Sequence, residues 1–122
     1  MLNITLSSDA TVRLYSILKE EDDNACVRVR EFKVGTPNNP LKIVLSLSID
    51  ERDEEDVEGE AEAMPFIMNR ELVEQYGINL AVSVDANRVF EVNPVPPGAR
   101  PRFALIPDQD EQILWQNTIF LP

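Results

Sequence analysis

One thiol, Cys26, and no histidine in 122 residues set narrow limits on the chemistry this chain can perform. Without an imidazole there is no Ser–His or Cys–His nucleophile. A lone thiol forms no intrachain disulfide and completes no zinc finger. The side chains left for acid–base or nucleophilic work are carboxylates, lysines and Cys26 itself. Carboxylates are plentiful, but nine of the 22 acids fall between Asp50 and Glu62, a run expected to be exposed. An exposed carboxylate keeps an ordinary pKa, unsuited to proton transfer at neutral pH. No constellation of catalytic residues emerges, so the expectation is a protein that is not an enzyme, with no cofactor and no cofactor-binding residues.

Two metal readings are open. Cys26 could give one thiolate per subunit to a site assembled between copies, which makes it the one candidate metal ligand. It can equally be a strand residue, since free cysteine packs as a small hydrophobe, and its position at the start of an apolar alternation favours that reading. Glu54, Asp56 and Glu58 stand at alternate positions before Gly59, as at the start of an EF-hand loop. The twelfth position, however, is Pro65 where a bidentate glutamate is needed. A solvated acidic loop is the preferred reading, and no metal is expected.

The elements that would position these residues follow from periodicity. Leu2, Ile4 and Leu6 alternate as a half-buried strand, and Ser7 or Ser8 can cap a helix carrying Ala10, Leu14, Ile17 and Leu18 on one face. Cys26 to Val34 reads as a strand whose phase slips: Val27 and Val29 share one face, Phe32 and Val34 the other. A bulge near Arg30 would account for this. Gly35 to Pro40, with two prolines, is expected to be a loop. Ile43, Leu45, Leu47 and Ile49 mark the cleanest strand, followed by a flexible acidic loop at 50–62 kept extended by self-repulsion. Ala63 to Met68 is a strand that Pro65 places at an edge. Asn69 caps a short helix with Leu72, Val73 and Tyr76 inward and Gly77 as its stop. Leu80, Val82 and Val84, a turn at 85–88, then Phe90 and Val92 form a hairpin. The sum is an α+β domain of mostly antiparallel β-sheets packed with two short helices.

Residues 96–122 are Pro-rich and end in apolar residues. Asp108 and Glu111 stand like a capping box ahead of Ile113, Leu114 and Trp115. Such residues seek burial, on the same domain or across a homodimer in which tails are exchanged.

A net charge of −11, from 22 acids against 11 bases, argues against nucleic acid and anionic membranes as partners and favours a protein partner with a basic surface. No run reaches the length of a membrane helix and the start has no secretory character, so a cytoplasmic protein is expected.

The order of elements, with Ile4-Thr5-Leu6-Ser7 before the first helix, Val27-Arg28-Val29, the Gly35 loop, Phe66-Ile67 before the short helix, and Val89-Phe90-Glu91-Val92-Asn93-Pro94, resembles the HesB/IscA-like family of A-type iron–sulfur carriers over residues 1–95. The resemblance implies a HesB-like fold. In that family one cysteine follows the loop glycine and a Cys-Gly-Cys pair follows the Asn-Pro. Here those places read Gly35-Thr36-Pro37 and Val95-Pro96-Pro97-Gly98. Iron–sulfur sites require soft thiolate or imidazole ligands, and neither hydroxyl nor proline replaces them. The expectation is therefore a divergent member that keeps the scaffold without the ligands: a non-catalytic protein-interaction or regulatory module. A cluster or metal carrier with ligands shared between subunits, and a small enzyme of unknown reaction, are the alternatives.

Overall fold

The computed structural model describes residues 1–96, with nine elements in two mixed sheets. Residues 96–122, the expected extension, lie outside the described residues from 97 onward, and so does any dimer formed through them. In chain order the elements are β1 (Asn3–Leu6), α1 (Ser8–Leu18), β2 (Ala25–Thr36), β3 (Asn39–Glu51), β4 (Asp56–Ala61), β5 (Met64–Asn69), α2 (Arg70–Tyr76), β6 (Asn79–Val84) and β7 (Phe90–Pro94).

The four-stranded sheet runs β3-β2-β5-β4 and the three-stranded sheet β1-β6-β7. Three pairings are antiparallel (β2 with β3, β4 with β5, β6 with β7) and two are parallel (β1 with β6, β2 with β5). The class is α+β, as the periodicity predicts. The two sheets meet along both borders. On one side Leu2 bridges Gly59, its amide donating to the Glu58 carbonyl at 2.8 Å. On the other, the Ser46 hydroxyl donates to the Phe90 carbonyl at 2.9 Å, joining β3 to β7. The sheets thus form a nearly closed ring around one core containing Leu2, Leu14, Val29, Phe66, Leu80 and Val82. Gly59 is required at the first contact. A Cβ there would sit 2.6 Å from Leu2 Cβ and 2.7 Å from the Leu2 carbonyl oxygen, where any side chain forces the strands apart.

The helices follow their sequence signals. Ser7 caps α1 by accepting from the Ala10 amide, and Ala10 and Leu14 are its buried face. Asn69 caps α2 by accepting from the Glu71 amide, and Gly77 ends it at φ 90°, a conformation that costs other residues steric strain.

Four local expectations are corrected. Residues 50–62 are not a flexible loop: β3 runs on to Glu51, and Asp56 to Ala61 form strand β4. Gly35 to Pro40 is not an open loop but a tight hairpin turning at Pro37-Asn38, with Pro40 in the outermost strand where a missing donor is tolerated. No bulge interrupts Arg30, because the β2–β3 register runs unbroken from Ala25↔Glu51 to Val34↔Lys42 and shifts only between Val34 and Thr36. Strand β5 lies inside its sheet rather than at an edge. Pro65 fits there because parallel pairing with β2 begins one residue later, at Val27↔Phe66.

Candidate functional site

The acidic run and the single thiol are the places where sequence chemistry concentrates. The folded chain uses the first structurally. Arg28, in the middle of β2, is buried, and its guanidinium reaches past β5 to grip Asp56 in β4. Nη1 donates to Oδ1 at 2.6 Å and Nη2 to Oδ2 at 2.7 Å. Its Nε donates to Asp50 Oδ2 at 2.7 Å and Nη2 also donates to the Glu51 carbonyl at 3.1 Å. Asp56 Oδ2 further accepts from the Asp53 amide at 2.8 Å, so the carboxylate organises the 51–56 turn. The Arg28 hydrogen bonds hold the Asp56 carboxyl below its usual range despite burial. Asp50 is likewise lowered, first by the Glu51 amide and then by Arg28. Nearby, Arg52 Nε donates to Glu58 Oε2 at 2.6 Å. These pairings help so acidic a segment become a strand: Arg28 compensates Asp50 and Asp56, and Arg52 compensates Glu58.

The spacing that mimics a calcium loop is consumed in the same way. Asp56 faces Arg28, Glu58 faces Arg52, and among the described residues no three Cys, Asp or Glu side chains converge to hold a metal ion. Cys26 is half-buried at the start of β2, its Sγ 3.8 Å from the Asn24 carbonyl. Burial, and then the charge of Glu58, push its thiol up from the ordinary value, which disfavours the thiolate that a soft metal needs.

A cleft of about 730 Å³ opens elsewhere, along the border where β3 meets β7. This is within the range of about 300–1,000 Å³ typical of ligand clefts. Apolar residues lining it include Phe32, Val34, Ile43, Leu45, Val89 and Phe90. Three of these are strongly exposed: Val34 at 39%, Ile43 at 55% and Val89 at 53%. Polar groups punctuate the wall: Asp85, Glu91 and Tyr76, whose hydroxyl donates to Glu31 Oε2 at 2.6 Å. That bond pushes the Tyr76 phenol up, since the neutral form is the one that can donate. Asp85 Oδ1 accepts from the Asn87 and Val89 amides at 2.8 and 2.9 Å, fixing the β6–β7 turn beside the cleft.

The cleft draws together two stretches that the family resemblance singles out. Val34 lies next to the Gly35 turn, and Asn93-Pro94 closes β7. All three of these residues line it, whereas Cys26 does not. The donors the wall offers are carboxylate, hydroxyl and amide oxygens, without sulfur or imidazole. This donor set does not fit an iron–sulfur cluster. The sequence did carry a signal for the cleft. The phase slip at Phe32 and Val34 reports a real change of face: Phe32 pairs with Val44 and Lys33 with Ile43, so Phe32 and Val34 lie on the sheet face opposite Ile43 and Leu45, and the cleft wraps the β3 edge between the two faces. Ile43 and Val89 gave no separate signal, because alternation alone does not tell a core residue from an exposed one.

Comparison with known proteins gives a fold. No protein-family pattern matches the chain, and no curated protein matches it in sequence. Among solved structures it is similar to Escherichia coli SufA, a protein involved in biosynthesis of iron–sulfur clusters. The TM-score is 0.54 and the identity 16%, over 84% of this chain and 87% of SufA. The α+β architecture is thus that of the SufA structure, in agreement with the fold the sequence resemblance implies. At this identity the likeness is one of fold, which by itself assigns no activity.

No helix among the described residues is long and apolar enough to cross a membrane.

Proposed function

We propose that this chain is a divergent HesB-like scaffold without iron–sulfur ligation, acting in the cytoplasm as a non-catalytic module that binds a protein segment in the β3–β7 cleft. The observation that carries the reading is the cleft itself. It lies beside the two stretches where the resemblance would place ligands, yet it is lined by Phe32 and Val34 on one face of the hairpin and by Ile43 and Phe90 across the β3 edge. A wall of this kind contributes apolar contact area, and its acidic rim at Asp85 and Glu91 suits a segment carrying basic residues.

The test is reconstitution of the full-length protein, purified without oxygen, with iron and sulfide, followed by visible absorption and metal analysis. The expected result is no stable chromophore and no stoichiometric iron, with the wild type and Cys26→Ser indistinguishable. A stable brown species holding stoichiometric iron that Cys26→Ser abolishes would overturn the proposal in favour of a carrier with ligands shared between subunits.

A further inference from the structure

Strand β7 turns part of its main chain toward the cleft. In an antiparallel ladder both polar groups of a residue point to the same side, and successive residues alternate. The Val95 amide donates to the Asn79 carbonyl at 2.8 Å and the Asp85 amide to the Val89 carbonyl at 2.9 Å. With Ala81↔Asn93 and Ser83↔Glu91 paired between them, the odd-numbered residues of β7 direct their backbone to β6. Phe90, Val92 and Pro94 therefore direct theirs the other way, and all three line the cleft. The Phe90 carbonyl bears out the direction, since it accepts from the Ser46 hydroxyl of β3 at 2.9 Å.

Ser46 occupies the Phe90 carbonyl and Pro94 has no N–H to give, so Val92 is the residue of β7 that turns both an open N–H and an open C=O to the cleft. Among the described residues no backbone hydrogen bond joins β7 to β3, and the two strands belong to different sheets. A strand edge with unpaired main-chain groups is a template for one more strand. Side chains set what that strand carries. Val92 is buried on the core face of β7, whereas Glu91 and Asn93 are exposed on the opposite face. A segment laid beside β7 continues both faces, so it places an apolar side chain next to Val92 and gains from a basic one next to Glu91.

We propose that the cleft takes its segment by strand addition: an extended partner segment of alternating apolar and basic residues pairs its main chain with the N–H and C=O of Val92. The inference rests on the reading of the cleft as a protein-binding surface and deepens it, naming the atoms that hold the segment and the alternation they select.

The test is amide-resolved hydrogen exchange of the full-length protein by NMR, alone and with a capped synthetic hexapeptide of alternating valine and arginine at about 1 mM. In the protein alone the Val92 amide is expected to exchange at least about tenfold faster than those of Glu91 and Asn93, and the peptide should slow it by at least about tenfold. N-methylating the valines blocks one edge of the peptide and N-methylating the arginines the other, so one version should lose binding and the other keep it. Glu91→Lys should weaken binding of the arginine peptide, and a peptide with glutamate in place of arginine should bind that variant more tightly than it binds the wild type. Binding that leaves Val92 exchange unchanged, or that both methylated versions retain, would overturn strand addition while leaving the cleft a surface that holds segments by their side chains. Absence of binding at this concentration would also overturn it, and the scaffold reading is decided separately by iron reconstitution. A Val92 amide already slow without peptide would overturn it too, assigning the edge to a second copy where dilution speeds the exchange and to the chain itself where it does not.

Discussion

Asp56→Asn is the most informative perturbation of the charged cluster, because it keeps the side chain's shape and changes only its acceptors. The Asp56 side chain is wholly inaccessible and its two oxygens receive three hydrogen bonds, two from Arg28 and one from the Asp53 amide. An asparagine has one acceptor oxygen. Placed at Oδ2 it keeps the Asp53 amide and Arg28 Nη2, but its own NH2 then faces the N–H of Arg28 Nη1; placed at Oδ1 it opposes the other two donors. A lost charge-assisted hydrogen bond costs roughly 1.5–3 kcal/mol, and a buried polar group left unmatched roughly 1–3 kcal/mol. Breaking one side of a buried ion pair falls at about 3–5 kcal/mol. Arg28 retains Asp50 and the Glu51 carbonyl, which puts the expected loss at the low end, about 3 kcal/mol. Urea unfolding at neutral pH measures this directly, and a domain of this size should lose about 10 °C or more in Tm. The pH dependence has a definite sign. Arg28 holds the Asp56 carboxyl below its usual value, so as pH falls the unfolded chain takes up this proton first. The contribution is complete above the ordinary carboxylate range near pH 4 and disappears as pH descends through the folded value. The gap between wild type and Asp56→Asn should therefore narrow in acid. A loss below about 1 kcal/mol at neutral pH, or a gap that acid leaves unchanged, would refute the assignment of Arg28–Asp56 as the clamp that makes β4 a strand.

Two further outcomes follow from the same geometry. Gly59→Ala puts a Cβ within 2.6 Å of Leu2 and should cost about 2–4 kcal/mol in urea unfolding, with faster amide exchange in β1; a variant as stable as wild type would show that the β1–β4 border does not close the ring. Tyr76 should titrate above an ordinary tyrosine in an alkaline absorbance titration, because its hydroxyl donates to Glu31, and Glu31→Gln should bring it back toward the usual value. The raised folded value means that this contribution to stability is complete below about pH 10 and lost as pH climbs through it, and a titration unmoved by Glu31→Gln would remove the contact.

Local chemistry in the sequence determined a good deal about this protein. The caps at Ser7 and Asn69, the stop at Gly77, and the alternations at Ile43–Ile49 and Leu80–Val92 each act within a few residues, so their outcomes are written into neighbouring side chains. The same holds for the absence of histidine and of a second thiol, which bounds the chemistry whatever the fold.

Other features depend on a partner distant in sequence and are set only when the strands assemble. The acidic run reads as self-repelling because Arg28, the residue that neutralises Asp56, lies 28 positions away. Its return strand is entered through Glu62 and Ala63, at φ 51° and 65°, a tight two-residue turn built without the glycine or asparagine that usually announces one. Pro65 looks like an edge residue until β2 is seen to pair only from Phe66 onward. The cleft is the largest case. Val34 and Ile43 are ordinary strand residues in isolation and Val89 only precedes β7; they border one cleft because β3 and β7 meet at Ser46 and Phe90. Period and capping are short-range, whereas charge neutralisation and the sorting of apolar faces into core and groove are settled by which strands end up as neighbours.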